Sequence, residues 1–294
     1  MHKKISGKTE MFCLIGSPVG HSGSPAMHNY SFKKLGLDYV YLAFDIKETQ
    51  VEEFLASARL LNIKGFNVTM PCKTEVAKLV DELSPAAQII GASNTVVNQK
   101  GCFVGYNTDG IGFVNNLKSH GVEVKDKTIT LMGGGGAGTA IFVQLALDGA
   151  KEIMIFNRKS HNYNKLENIA EKIIEYAPEC KVQIMDIENK KLLYRSIRES
   201  DILINATNIG MSPQKEFSLI EDMAVYHKNL VVAEIVYNPL ETKMMSDAKK
   251  AGVKKVIDGK GMLLWQGSEA FKLFTGREMP LEEYRREIWK DWYK

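Results

Sequence analysis

Residues 128–147 read Thr-Ile-Thr-Leu-Met-Gly-Gly-Gly-Gly-Ala-Gly-Thr-Ala-Ile-Phe-Val-Gln-Leu-Ala-Leu, twenty positions without a charged side chain. A run of that length could cross a bilayer. The five glycines between Gly133 and Gly138, with Thr128, Thr130, Thr139 and Gln144, fit a strand, a glycine turn and a helix better. Gly133, Gly135 and Gly138 have the GxGxxG spacing. In such a turn the first glycine bends the chain sharply, the second lets backbone approach a pyrophosphate, and the third lets the helix pack close to the strand. The amides and dipole at the helix start favour the diphosphate anion. The bland alternative is a surface turn in an α/β domain that binds nothing; a strand before the glycines and a helix after them favour the dinucleotide.

Working outward, the pattern on the C-terminal side keeps alternating. Strands are expected at Ile129–Met132, Ile153–Phe156, Val182–Met185, Ile202–Asn205, Leu230–Val236 and Lys255–Ile257, with helices at Ala137–Leu147, Lys165–Tyr176, Lys190–Arg198 and Thr242–Ala251. That is a doubly wound nucleotide-binding pattern. An NAD site tends to carry an acid about 20 residues past the loop, at the end of the second strand, where it accepts from the ribose hydroxyls. Here the chain reads Phe156-Asn157-Arg158-Lys159-Ser160. Arg158 and Lys159 can pair with a ribose 2′-phosphate, and Ser160 has no charge to repel it, so NADP is favoured and NAD is the alternative. Two cations pointing into solvent are the plain competing reading.

On the N-terminal side, strands are expected at Met11–Ile15, Tyr39–Phe44 and Lys64–Val68. The helix between the first two opens at Ser24-Pro25, read as N-cap and first helical residue, and runs to about Leu35. A second helix is expected at Val51–Leu61. Strand-helix-strand order means parallel pairing. Asn94–Asn98 and Cys102–Tyr106, separated by Gln99-Lys100-Gly101, suggest a hairpin at the sheet edge. A helix follows near Gly110–His120, and the polar Gly121–Lys127 stretch suggests a domain boundary. Helical patterns at Met262–Phe274 and Leu281–Trp289 could pack back on the first domain.

The composition agrees with two domains of a globular protein. The chain has 294 residues, 45% hydrophobic and 25% charged, with 38 basic and 35 acidic side chains, a formal net charge of +3. With no basic run, nothing suggests a nucleic-acid or membrane partner. The four cysteines are scattered with no CxxC pair, and the six histidines lack ligand spacing. Reduced thiols, a cytoplasmic setting and no metal are therefore expected. The apolar run Met11–Ile15 is too short for a signal segment.

Four polar clusters remain after the fold elements are assigned. Ser22 and Ser24 put two hydroxyls at a strand-to-helix turn, although Ser24 could simply cap the helix. Asn67-Val68-Thr69-Met70-Pro71-Cys72-Lys73 places hydrogen-bonding side chains at alternate positions of a strand end and a lysine at a helix start, where the dipole disfavours it. Asn94-Thr95 and Asn107-Thr108-Asp109-Gly110 follow, Asp109 having N-cap as its plain alternative. Together they offer donors and acceptors for a polyhydroxylated ligand, plus a lysine and an acid. Hydride transfer at a carbinol carbon needs a proton moved on or off the oxygen. A lysine held by an aspartate can do that.

These residues give the chain a resemblance to the shikimate dehydrogenase family over nearly its whole length. The serine pair at Ser22 and Ser24, the NVTxPxK segment Asn67–Lys73, the NTD segment Asn107–Asp109, the glycine loop, Asn157-Arg158, NATxxGM at Asn205–Met211 and DGxGMLxxQ at Asp258–Gln266 all match. The resemblance implies an α/β fold of two domains. The N-terminal substrate domain, with a mostly parallel sheet, would take residues 1–112 completed by helices in 263–294. The Rossmann-like, doubly wound nucleotide domain would take 113–262. It also implies reversible reduction of 3-dehydroshikimate to shikimate in aromatic amino acid (chorismate) biosynthesis, with Lys73 and Asp109 catalytic. Ser22, Ser24, Asn67, Thr69, Asn94, Thr108, Tyr237 and Gln266 would bind substrate. Gly133, Gly134, Gly135, Gly136, Ala137, Asn157, Arg158, Lys159, Ser160, Thr207, Asn208, Val236, Gly259 and Met262 would hold the cofactor, in a monomer or homodimer.

There are departures from the family pattern. Lys159, Ser160 and His161 follow Asn157-Arg158 where Thr and a second Arg are usual, and Gly134 and Gly138 stand where Ala, and Ala or Ser, are common. Segments 81–85, 236–239 and 263–267 are more similar to the quinate/shikimate branch, so quinate/3-dehydroquinate interconversion, with NAD, is the alternative enzyme reading. A non-catalytic dinucleotide-sensing regulator is the alternative of another class, and a sensor has no need of Lys73 and Asp109.

Overall fold

The structure, a computed structural model, describes residues 5–159 and 161–289. The chain divides into two compact units, one containing the residues before Asp109 and from Gln266 onward, the other Asp109–Trp265.

The first unit runs β1 (Glu10–Gly16), α1 (Ser24–Lys34), β2 (Tyr39–Asp45), α2 (Val51–Leu60), β3 (Gly65–Val68), α3 (Lys73–Leu79), β4 (Glu82–Leu83), α4 (Pro85–Ile90), β5 (Thr95–Gln99) and β6 (Cys102–Tyr106). Its sheet order is β2-β1-β3-β5-β6-β4. β2, β1 and β3 pair in parallel, and β3-β5-β6 antiparallel. Residues on both faces of β1 are buried. One face packs with Val51, Leu55, Phe66, Val76 and Phe103. The other is aromatic, Phe12 lying against Phe32, Tyr39 and Phe274 at centroid distances of 4.9–5.6 Å.

Two expectations need correction. The β5–β6 hairpin forms, with Lys100 and Gly101 both at positive φ (57° and 98°) in its two-residue loop, the backbone that matches strand twist. It is not the sheet edge, because β4 pairs in parallel outside β6. Two residues are too few for a legible alternation, and Gly105 makes the fit: a β-carbon there would lie 2.8 Å from Leu83. Ser24 is not an N-cap either. Gly23 occupies that position, Ser24 is the first helical residue, and no side chain caps α1.

α5 (Thr108–Ser119) leads into the second unit, which continues β7 (Thr128–Met132), α6 (Gly136–Leu147), β8 (Glu152–Asn157), α7 (His161–Tyr176), β9 (Lys181–Asp186), α8 (Lys190–Glu199), β10 (Ile202–Asn205), β11 (Val231–Glu234), α9 (Lys243–Lys250) and β12 (Lys255–Ile257). α10 (Lys260–Thr275) and α11 (Leu281–Glu287) close the described chain. The second sheet, β9-β8-β7-β10-β11-β12, is parallel throughout. Numbered from β7 as strand 1, this is the order 3-2-1-4-5-6, whose reversal point lies between β7 and β10. α6 is buried along most of its length, which is why its sequence is apolar all round.

Candidate active site

In the first unit the polar residues converge through hydrogen bonds on one side-chain web. Asn67, at the buried end of β3, donates from Nδ2 to Thr95 Oγ1 (2.9 Å) and accepts at Oδ1 from Tyr41 (2.7 Å). Thr95 Oγ1 donates to Asn94 Oδ1 (3.0 Å), which also accepts from the Thr108 backbone N–H (2.8 Å). Asn94 Nδ2 lies 3.0 Å from Thr108 Oγ1. All five residues are buried. An unpaired buried polar group costs about 1–3 kcal/mol, so removing one member strands the others. Ser22 Oγ accepts from the Ser24 N–H (3.2 Å).

Lys73, half-buried, is the first residue of α3, and its carbonyl accepts from Ser93 N–H (3.0 Å), which ties the helix start to the Asn94 segment. Thr69 follows β3, its N–H donating to the Ile15 carbonyl (2.8 Å). Gln266 belongs to α10, where the next residue, Gly267, lies directly against the end of the Met27 side chain of α1. Ser22, Ser24, Asn67, Thr69, Lys73, Asn94, Thr108 and Gln266 thus share one unit. Sequence reasoning missed Tyr41, whose hydroxyl donates to Asn67 Oδ1; its position in an aromatic strand disguised it as core.

The second unit holds Asp109, Tyr237 and those described residues that are expected at the nucleotide. Asp109 lies within the first turn of α5, after Thr108, and is not its cap. Gly110 then meets α6 so closely that a β-carbon would strike the Ala140 carbonyl, which fixes this helix against the one opening the glycine loop. Tyr237 is 40% exposed, three residues past β11.

The glycine loop explains its own composition. Gly133 has φ +102°, and a β-carbon there would approach the Ala206 backbone to 2.8 Å. A β-carbon on Gly138 would collide with the Gly133 carbonyl, and one on Gly134 with Leu166. The two departures from the usual alanines therefore let the loop lie tightly under α6 and α7. By contrast nothing lies within 4 Å of a β-carbon on Gly135 or Gly136, and Gly135 at the N-cap leaves α6 without a side-chain cap. Asn157 Oδ1 accepts from Gly134 N–H (3.2 Å), linking the loop to the end of β8. There Arg158 and Lys159 are exposed. Ser160 lies outside the described residues. Open amides at the helix start with two cations at the second strand end fit a dinucleotide carrying a ribose phosphate.

Thr207 Oγ1 donates to Asn205 Oδ1 (2.7 Å) and accepts from Ile209 N–H (3.1 Å), shaping the exposed turn that carries Asn208. Gly259 is buried where a β-carbon would meet the backbone of Ile235 and Val236. Val236 and Met262 are buried beside exposed Tyr237 and half-buried Lys260 respectively. Behind this turn sits Glu234, fully buried at the end of β11 and absent from the expected site. Its one legible signal is a charge at the end of an otherwise apolar strand.

Among the described residues, no group of three or more His, Cys, Asp or Glu could hold a metal ion, and no helix is long and apolar enough to cross a membrane. All four cysteines are free.

A sheet of order 3-2-1-4-5-6 with a bare helix start under its glycine loop, in one chain with a second α/β unit that gathers hydroxyls, amides and a lysine, defines a nicotinamide-dinucleotide oxidoreductase. Comparison with known proteins narrows this. Residues 14–96 match the shikimate dehydrogenase substrate binding domain, 116–226 the shikimate / quinate 5-dehydrogenase family and 259–288 the shikimate 5′-dehydrogenase C-terminal domain. The chain is 47% identical to a shikimate dehydrogenase (NADP(+)) of Streptococcus uberis, over 99% of each chain. Among solved structures, shikimate 5-dehydrogenase from Listeria monocytogenes in complex with shikimate and NAD superposes with a TM-score of 0.93 and 43% identity, covering 97% of this chain and 98% of that one. A shikimate dehydrogenase in complex with NADP+ gives 0.85 and 40%, covering 99% and 98%. The chain belongs to the shikimate dehydrogenase family.

Proposed function

We propose that this protein catalyses the reversible reduction of 3-dehydroshikimate to shikimate with NADP as the preferred nucleotide, in chorismate and aromatic amino acid biosynthesis. The observation that carries the reading is full-length identity of 47% to an enzyme named for that reaction, and the reading gives Lys73, Asp109 and the buried asparagine-threonine web the roles that the family resemblance implies. Residues 1–112 with 263–294 would form the substrate domain and 113–262 the nucleotide domain, in a cytoplasmic monomer or homodimer. The free cysteines support a reducing compartment.

Shikimate is an anionic ring acid with several hydroxyls. Ser22, Ser24, Thr69, Asn94 and Gln266 offer the hydroxyl and amide groups that such a ligand needs, with Tyr237 from the nucleotide domain, while Asn67 and Thr108 hold Asn94 in place. The dinucleotide, when bound, supplies the hydride in reduction and accepts it in oxidation. Lys73 gives a proton to the ketone oxygen in reduction and recovers it in oxidation. Asp109 orients the ammonium and stabilises its charge. The glycine loop holds the diphosphate on the α6 amides, and Arg158 with Lys159 neutralises the 2′-phosphate.

The test is a grid of initial rates with shikimate and quinate, each with NADP+ and NAD+, followed at 340 nm, for the parent protein and Lys73→Ala. The highest kcat/KM is expected with shikimate and NADP+. Lys73→Ala should lower kcat by about 10²–10⁴ while the protein stays folded, the range of a lost general acid–base contribution. A few-fold change would remove Lys73 from the proton step. A higher kcat/KM with quinate would shift the substrate, and no turnover in any cell of the grid would leave a dinucleotide-binding protein without catalysis.

A further inference from the structure

Glu234 has every hydrogen-bonding position of its carboxylate turned toward the residues that form the nucleotide face. Oε1 accepts from the backbone N–H of Ile235 (2.9 Å) and Val236 (3.0 Å). Oε2 accepts from the Thr242 hydroxyl (3.1 Å), and Asn205 Nδ2 reaches both oxygens (3.0 and 2.9 Å). Asn205 in turn accepts from the Thr207 hydroxyl and N–H at Oδ1 (2.7 and 3.1 Å) and donates to the Ile209 carbonyl (3.1 Å). Thr242 caps α9 by accepting from Met245 N–H (3.3 Å). One buried carboxylate thus sets the Ala206–Gly210 turn after β10, the Ile235–Val236 segment after β11, against which Gly259 packs, and the start of α9. In a doubly wound sheet the two halves each take one mononucleotide at the carboxyl ends of the strands. With Arg158, exposed just past β8, assigned to the ribose phosphate in the reading above, the β10–β11 half is left with the nicotinamide.

We propose that Glu234 is a positioning residue for the nicotinamide end of the cofactor, its ionised form holding the two loops in the arrangement that receives the dinucleotide. This rests on the dinucleotide reading above and adds a proton to it. Every partner is a donor, so a proton placed on either oxygen faces another hydrogen. Only the Thr242 hydroxyl could turn to accept it, and its own hydrogen would then lose the carboxylate. Every direct hydrogen-bond partner is uncharged. On α9, Lys243 pairs with Asp247 and Lys249 with Glu241. On β12, Lys255 bonds the His120 and Gly121 carbonyls, and after it Asp258 accepts from Lys260 N–H. At the far end of β11, His227 meets the Ser200 carbonyl. Burial raises the carboxyl to about 7, against the pull of the bonds from Asn205, Val236, Thr242 and Ile235. Dinucleotide binding would draw on the ionised fraction, and a fraction near one half at neutral pH makes apparent affinity pH-dependent.

The experiment is direct titration of the protein, without substrate, with NADP+ and separately with NAD+ at pH 6, 7 and 8, for the parent, Glu234→Gln and Glu234→Asp. NAD+ is included because the 2′-phosphate of NADP+ itself titrates near 6. For the parent, the NAD+ dissociation constant should be about tenfold larger at pH 6 than at pH 8, and the NADP+ constant should rise by at least as much. Glu234→Gln, which puts an amide donor among donors, should bind NAD+ with a constant that is flat with pH at about the parent's pH 6 value. Glu234→Asp, if it folds, should keep a pH dependence. A parent constant for NAD+ that is flat from pH 6 to 8 overturns the proposal without need of a variant, as does Glu234→Gln binding as tightly as the parent at pH 8. Failure of the parent to bind either nucleotide at pH 8 would overturn the dinucleotide reading as well, which separates the two failures.

Discussion

Acidifying the protein from pH 7.5 to 5 should cost the first unit about 2 kcal/mol through one side chain, His28. This histidine is fully buried in α1, its ring stacked on Tyr41 at 4.4 Å and 4° and near Phe271 and Phe274. Neither ring nitrogen has a hydrogen-bond partner among the described residues. Burial therefore lowers its pKa from 6.5 to about 3. Between those values the unfolded chain holds a proton that the folded chain does not, so stability falls as the pH drops, by about 1.4 kcal/mol per unit below 6.5. Glu234 acts in the opposite sense. Its folded pKa is raised to about 7, so the folded chain holds the extra proton and gains stability as pH falls through that value. The raw profile of the parent mixes the two. The contrast with His28→Phe isolates the first, because phenylalanine keeps a flat ring against Tyr41 and does not titrate. Urea unfolding of both proteins at pH 7.5, 6.5 and 5 should show the variant gaining about 2 kcal/mol on the parent between the ends of the range. A gap that stays constant would mean that His28 finds a way to be protonated in the fold, and would refute the argument from its burial.

The remaining expectations concern the nucleotide unit. Gly133→Ala forces a β-carbon into a φ of +102° and to 2.8 Å from the Ala206 backbone, so a loss of about 2 kcal/mol or more in thermal or urea unfolding, with loss of binding to both nucleotides, is expected. Unchanged binding would mean the loop can unwind. Arg158→Ala should weaken NADP+ by about 10- to 100-fold, the worth of a charge-assisted hydrogen bond, and leave NAD+ within a few-fold by the same titration. Equal losses for the two would place Arg158 away from the 2′-phosphate.

The fold was legible because its long elements carry their own periodicity. Ile129–Met132, Ile153–Phe156 and Ile202–Asn205 are apolar runs because a parallel sheet buries both faces, and each falls inside a strand of the second sheet. What escaped was short or mislabelled by type. β4 spans two residues and owes its place to the missing side chain of Gly105. Ser24-Pro25 has the composition of a cap, yet the backbone gives the cap to Gly23 and makes the serine the first helical residue. Resemblance carried the residues expected at the ligands, since those recur as motifs, and could not carry residues that act through others.

Glu234 shows why that gap has a physical cause. In sequence it is one acid in Leu230–Val236, a run that reads as a buried strand. A carboxylate there is costly unless donors surround it, and the donors come from three places: Asn205 on the neighbouring strand, Thr242 eight residues on, and the N–H groups where the strand ends. None of the three is informative alone, and only the parallel register of Asn205 with Glu234 brings them together. The same register connects the acid to Thr207 and Val236, two residues expected at the cofactor. A buried charge whose partners all lie where strands end and loops or a helix begin, on one face, is held there at a cost in stability. The most economical account of that cost is that the loops, and not the core, need it.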